Sequence, residues 1–225
     1  MLLGVFGVSL NSLLIRALGV RSDNFPRALV RDGLITTHRI RGYPSKLYVL
    51  TPAGHAIAEL LLQRRVRQVR GDKVTTSQLA HDLMTQACVL SSLEEWGRSS
   101  SLASVDVAAF LRHCLDSRDL GRIDKAVRPD LHYLWEGQGF SWETENNPAS
   151  SSRLKTKFHL LLRESARFSK LTVVWAINGG PDVIERYRRC FDEVLEEANS
   201  DGISRTELSR VRCQFKSAET LLGIR

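Results

Sequence analysis

The residues with the clearest chemical potential lie between positions 128 and 157. Asp130 opens the run Asp130-Leu131-His132-Tyr133-Leu134-Trp135, and Glu143 and Glu145 close the run Phe140-Ser141-Trp142-Glu143-Thr144-Glu145. Between them stands Glu136-Gly137-Gln138-Gly139, which has hairpin-turn chemistry. Strand side chains alternate, so Phe140 and Trp142 point to one face and Ser141, Glu143 and Glu145 to the other. Pairing across the turn sets the start of the first strand beside the end of the second. Asp130 then lies near Glu143 and Glu145. Carboxylates gathered in one place repel one another unless a cation sits among them. Oxygen-only ligands favour a hard ion, Mg²⁺ or Mn²⁺. Such an ion polarises a phosphoryl oxygen and activates water. The competing reading makes Glu143 and Glu145 solvated charges on the open face of an antiparallel sheet.

The elements that must position these groups are legible on both sides. After Pro148, residues 150–168 read as a helix with Leu154, Phe158, Leu161, Leu162 and Phe168 inward. At about 100° per residue, Lys155 and Lys157 fall on opposite flanks of that stripe, and either can lean over the carboxylates. Leu171–Ile177 is a buried strand, and Gly179-Gly180-Pro181-Asp182 opens a helix over about Val183–Glu197. Tyr187 shares that helix with Arg186, Arg188 and Arg189 and reads as part of a solvated face. Ser204-x-x-Glu207 is a capping box, which predicts a last helix over 204–222.

Net charge divides the chain. Residues 1–75 hold 12 Lys/Arg against 4 Asp/Glu, whereas residues 76–225 hold 20 against 21. All of the +7 excess therefore sits in the first third, the mark of a polyanion-binding module beside a neutral domain. That third reads helix, turn, helix, hairpin, helix. The first helix is Leu10–Leu18 and stops at Gly19. The second starts at Ser22 or Asp23, with Phe25, Leu29 and Val30 inward and Arg27 and Arg31 outward. A hairpin over residues 34–50 turns at Gly42-Tyr43-Pro44 and carries Arg39, Arg41 and Lys46. Thr51-Pro52-Ala53-Gly54 starts a helix to about Val69, with Ile57, Leu60, Leu61 and Val66 on one side. A helix fits the major groove and a basic ribbon can lie along the backbone. Between the two parts, Gly71-Asp72-Lys73 is a break, Ser77–Ser92 is helical, and Ser99–Ser101 is a loop. Val107–Leu115 is too short and apolar to type.

Two resemblances follow from these residues. "DGLITTHRIRGYPSKLYVLTPAG" looks like the bacterial winged-helix pattern, although only about eight residues precede its first helix. Behind it, "RPDLHYL…FSWETENNPASSSRLKTKF…LTVVWAI" resembles the replication-relaxation family and the MOBC-class conjugative relaxases. Their catalytic domain is similar to PD-(D/E)xK restriction endonucleases. Pro129-Asp130, Glu143-x-Glu145 and Arg153-Leu154-x-x-Lys157 supply the positions of that pattern. The resemblance implies Asp130, Glu143 and Glu145 as metal ligands. It implies Lys157 as the functional lysine, displaced from its usual place, which Glu145 takes. It also implies an α/β protein with a winged-helix DNA-binding domain at 1–70, a restriction-endonuclease-like catalytic domain at 75–200 and a C-terminal helix at 201–225. The expected activity is metal-dependent nicking of plasmid DNA at a transfer origin, with Arg27, Arg31, Arg39, Arg41 and Lys46 holding the duplex. A relaxosome accessory protein and a coupling protein are the expected protein partners. The alternative is a non-catalytic winged-helix protein of plasmid replication or relaxosome assembly.

The rest of the composition narrows the field. At 225 residues and 43% hydrophobic, the chain can bury a core without staples. No run of about 18 apolar residues exists, and the first residues lack a basic n-region and a cleavage site. A bacterial cytoplasmic protein with no membrane insertion is therefore expected. Cys88, Cys114, Cys190 and Cys213 have no zinc-site spacing and read as free thiols. His132, Tyr133 and Trp135 read as packing or surface residues. No two of the six histidines are two apart, so the His-hydrophobe-His site of tyrosine relaxases has no local support.

Overall fold

A computed structural model describes residues 2–19, 21–39, 46–66, 76–98, 107–116 and 129–222. The chain is a mixed α/β protein that forms two compact units, Met1–His113 and Cys114–Arg225. The helices over Thr76–Arg98 and Val107–His113 therefore belong to the first unit, whereas the sequence reading began the second domain at residue 75. Arg41, the Gly42–Pro44 turn, the Gly71–Lys73 break and the Ser99–Ser101 loop lie outside the described residues.

The first unit contains α1 (Leu2–Phe6), β1 (Val8–Leu10), α2 (Asn11–Leu18), α3 (Asn24–Arg31), β2 (Ile35–His38) and β3 (Leu47–Leu50). After these come α4 (Pro52–Leu62), α5 (Thr76–Arg98) and α6 (Val107–His113). Its antiparallel sheet has the order β1-β3-β2, with Val8 opposite Val49 and Ile35 opposite Leu50. Gly19 ends α2 as expected: its φ of 63° is a left-handed turn that favours glycine. In α5, Leu79, Leu83, Ala87 and Leu90 are all buried, as their helical spacing predicts. Residues 107–115, which sequence could not type, are α6 followed by the first residue of a strand.

The residues before α2 form α1 and β1, and all five residues of α1 are buried. Two readings of this unit need correction. Phe25 and Val30 are exposed rather than inward, and within α3 only Pro26 is fully covered. An eight-residue helix lodged against α2 and β2 is covered along one narrow stripe only. Finally, α4 stops at Leu62, where Gln63 turns left-handed, and it buries Gly54, Ala58 and Leu62. Ile57, Leu60 and Leu61 stay exposed. The cause is close packing on α1. A Cβ on Gly4 would stand 2.8 Å from Leu62 and 3.2 Å from Ala58, so two glycine- and alanine-lined surfaces meet there and the bulky residues are turned out.

The second unit is a five-stranded sheet in the order β4-β5-β6-β7-β8, with β4 (Leu115–Asp116), β5 (Leu131–Trp135), β6 (Gln138–Glu145), β7 (Lys170–Ile177) and β8 (Val211–Ser217). The first three strands are antiparallel, and β6, β7 and β8 run parallel. Glu136 (φ 47°) and Gly137 (φ 75°) form the two-residue turn between β5 and β6. The parallel strands need crossovers, supplied by α7 (Ser151–Ser165) and α8 (Pro181–Ser200). Both helices cover the same sheet face. Leu154, Phe158 and Leu161 of α7 and Tyr187, Cys190, Phe191 and Val194 of α8 pack with Val173, Trp175 and Ile177 of β7. That is the outcome when successive crossovers share one hand.

The expected helix over 204–222 is wrong. The Ser204–Glu207 capping box is present, but it caps a single turn, α9 (Arg205–Leu208). The chain then runs as β8, and only α10 (Ala218–Leu222) returns to helix. Val211, Cys213, Phe215 and Ser217 alternate with Arg212, Gln214 and Lys216 at period two, and that rhythm fits a sheet edge rather than a helix. Among the described residues, no helix is long and apolar enough to cross a membrane.

Gly54 gives a sharp test of this packing. Thr51 caps α4 by accepting from the Gly54 N–H (3.1 Å) and donates to the Gly33 carbonyl (2.6 Å). A Cβ on Gly54 would stand 1.9 Å from the Leu34 carbonyl oxygen. Gly54→Ala should destabilise the first unit by about 3 kcal/mol or more, the upper end of overpacking costs. Gly180→Ala, where a Cβ meets open space, should change little. Urea denaturation of both variants checks this.

Candidate active site at the end of strand β6

The last residues of β6 carry the site. Glu143 pairs with Trp175 and Glu145 with Ile177 across the β6–β7 ladder, so both carboxylates face the layer of α7 and α8. Asp130 sits one residue before β5. Its N–H donates to the Trp142 carbonyl (3.0 Å), and its carboxylate Oδ2 accepts from the Thr144 N–H (2.7 Å). The side chain thus continues the ladder where the β5 backbone leaves it. That fixes Asp130 across from Glu143, on the same face.

Helix α7 brings the counter-charge. Ser150 caps it by accepting from the Arg153 N–H. Lys157 lies in its second turn. The Lys157 ammonium donates to Glu143 Oε2 at 2.8 Å and stands 3.6 Å from Glu145. It also lies 4.6 Å from the centre of the Trp175 ring, a cation–π distance. Lys155 turns the other way, onto Glu193 (2.9 Å) and Glu197 (2.8 Å) of α8. The choice that sequence left open therefore falls to Lys157.

Burial sets the electrostatics. Glu143 is 4% exposed, and its Oε1 is buried with no hydrogen-bond partner. Desolvation raises its pKa to about 7. Lys157 opposes that rise, while Asp130 and Glu145 add to it. For Lys157, burial works against the ammonium, but Glu143, Glu145 and Asp130 together outweigh it and the pKa moves up. The open-sheet-face reading does not describe Glu143, which is covered. Asp130, Glu145 and Lys157 are close enough for their charges to act on Glu143.

The donor set can be weighed against a divalent cation. Three carboxylates stand near one ammonium, and Glu143 Oε1 is a buried oxygen with no hydrogen-bond partner; both suit a hard ion. Even so, among the described residues no three carboxylate, imidazole or thiol groups already form a cation-binding cluster. The ammonium of Lys157 occupies the place beside Glu143.

Sequence reasoning missed one part of the site. Tyr187 is fully buried rather than on a solvated face. Its hydroxyl accepts from the Ala149 N–H (2.9 Å), while Arg186 donates to the Ala149 carbonyl (3.0 Å). Together they clasp the loop that joins β6 to α7. The signal was available: Tyr187, Cys190, Phe191 and Val194 recur at helical spacing beside the arginines. His132 is a packing residue, as read. Its ring contacts Phe168 and bonds Ser141 (2.9 Å), and burial lowers its pKa to about 4.

In the first unit, Arg27 and Arg31 project from α3, with Asp23 (2.6 Å) and Asp32 (3.2 Å) as partners. Arg39 follows β2 and Lys46 precedes β3, both exposed. Arg41 lies outside the described residues.

The buried pair predicts a pH-dependent defect. A folded-state pKa raised to about 7 means that Glu143 favours folding most at low pH, and that the benefit is lost as pH rises through 7. Lys157→Ala strips the buried carboxylate of its cation and should cost about 3–5 kcal/mol at pH 8. At pH 5.5, where Glu143 is neutral, the loss should be much smaller. Lys155→Ala should change little at either pH. Urea denaturation in the presence of a chelator measures all four values.

No family model, curated protein or solved structure matches this chain, so its own geometry carries the functional reading.

Proposed function

We propose that this protein is a metal-dependent DNA nickase of the conjugative-relaxase kind, in which the first unit holds duplex DNA and the second cuts one strand at a transfer origin. The observation that carries the reading is the gathering of Asp130, Glu143, Glu145 and Lys157 on one sheet face at the end of β6. The order Pro129-Asp130, hairpin, Glu143-x-Glu145, then a helix with Arg153-Leu154-x-x-Lys157 follows the pattern on which the resemblance to relaxases rests. In the first unit, α2, a glycine turn, α3 and the β2–β3 pair support a helix-turn-helix with a basic ribbon.

Asp130, Glu143 and Glu145 would hold the ion, and the orphaned Oε1 of Glu143 would gain a partner. When bound, a divalent cation would polarise a phosphoryl oxygen and lower the pKa of a water. Lys157 would then leave Glu143 for the phosphate, where its ammonium offsets charge that develops on the oxygens. The Trp175 ring, 4.6 Å from the ammonium, would give it a surface for that move.

One observation favours a second reading. Lys157 already neutralises Glu143, and no cation cluster is assembled among the described residues. A protein of that kind would bind DNA and leave it intact, as an accessory factor in plasmid replication or relaxosome assembly.

Nicking of supercoiled plasmid separates the two. On the nickase reading, Mg²⁺ or Mn²⁺ supports conversion to open circles and a chelator stops it. Asp130→Ala and Lys157→Ala should lower the rate by about a hundredfold or more, the usual loss for a charge-stabilising group. Both should keep duplex affinity. Affinity without nicking under every metal condition supports the second reading.

The DNA-holding surface has its own test. Replacing Arg39, Arg41 and Lys46 together by Ala should flatten the log–log salt dependence of duplex binding by about 0.9 for each phosphate that is no longer neutralised. An unchanged slope would remove the hairpin from the interface.

A further inference from the structure

We propose that α3 reads thymine in duplex DNA through Phe25 and Val30. This deepens the reading of the first unit as DNA-binding and rests on it. Among the five residues of α3 that face solvent, Phe25 (46% exposed) and Val30 (38%) are large and apolar. The other three are Asn24, Arg27 and Arg31. At about 100° per residue, Arg27 and Arg31 lie about 40° apart around the helix, and Val30 flanks Arg27 at about 60°. Phe25 lies about 120° beyond Arg31, past Asn24 and Ala28, at the other end of the exposed arc. That arc therefore has an apolar side chain at each end and the two arginines between them, on a helix that has only Pro26 fully covered.

This arrangement gains nothing from the fold itself, since water wets both apolar groups. Its charge selects an occupant. The arginines, with Arg39 and Lys46 of the same unit, suit a polyanion, and residues 1–75 carry all of the excess positive charge. Against duplex DNA, a helix in the major groove meets donors and acceptors on every base pair and one apolar group, the C5-methyl of thymine. Phe25 and Val30 are the side chains on α3 that can use it. The arginines bind phosphates or guanine edges, and the flanking apolar pair favours A·T pairs on either side.

The test uses the full chain and duplexes selected by it from a randomised pool. Each thymine of a selected duplex is replaced in turn by deoxyuridine, which removes the methyl group alone, and affinity is measured by fluorescence anisotropy. One or two positions should show a loss of about fourfold, the change that matches burial of one methyl-sized group at about 0.8 kcal/mol. In Val30→Ala or Phe25→Ala the penalty at the matching position should disappear. Both side chains are exposed, so both variants should keep the wild-type circular dichroism and melting temperature. Salt-dependent binding with no uracil penalty at any position overturns the thymine reading and leaves DNA binding intact. Failure to select any duplex, with no salt-dependent binding, overturns both.

Discussion

The second unit is organised around one buried ion pair. Glu143 lies under α7 with almost no solvent, and Lys157 reaches it from that helix at 2.8 Å. A carboxylate in that position is costly unless a cation stays beside it. The helix must therefore sit where its second turn overhangs the end of β6. Two devices fix it there. Phe158 packs edge-on against Trp175 and Phe191, which anchors the apolar side of α7 to the sheet and to α8. Arg186 and Tyr187 grip both polar groups of Ala149, which ties the entry of α7 to α8. The chemistry of the face and the packing of the layer are thus one constraint, because any shift of α7 also separates the charges.

The same constraint leaves a buried acceptor unsatisfied. Asp130 and Glu145 add to the rise in the Glu143 pKa that burial causes, and Oε1 of Glu143 has no hydrogen-bond partner. That oxygen lies in a region of low dielectric, where an approaching charge has its largest effect. In the first unit, α1 and α4 approach closely at Gly4 and Ala58, while Arg27, Arg31, Arg39 and Lys46 are exposed.

Much of this is legible in the residues alone. Strands β5 and β6 announce themselves by alternation around Glu136-Gly137, and the hairpin register alone brings Asp130 to Glu143. The crossover helix and β7 follow from their apolar patterns. The choice between Lys155 and Lys157 is not legible, because both flank the same stripe and only the position of α8 separates them. Tyr187 is obscured by its arginine neighbours, which dominate a reading by charge although the ring lies on the apolar side. The capping box at Ser204 is a local signal that says where a helix starts and not how long it runs. β8 is set instead by its pairing with β7. The exposed face of α4 misleads for a related reason. Periodicity finds an apolar stripe, but close approach through Gly4, Gly54 and Ala58 decides which stripe is buried.

The central claim is that this carboxylate face takes a divalent cation and releases Lys157. A crystal soaked in Mn²⁺ and measured at the manganese absorption edge tests it directly. The account predicts an anomalous peak bound by oxygens of Asp130, Glu143 and Glu145, with the Lys157 ammonium moved away from Glu143. No peak at that face, with Lys157 still bonded to Glu143, would contradict it.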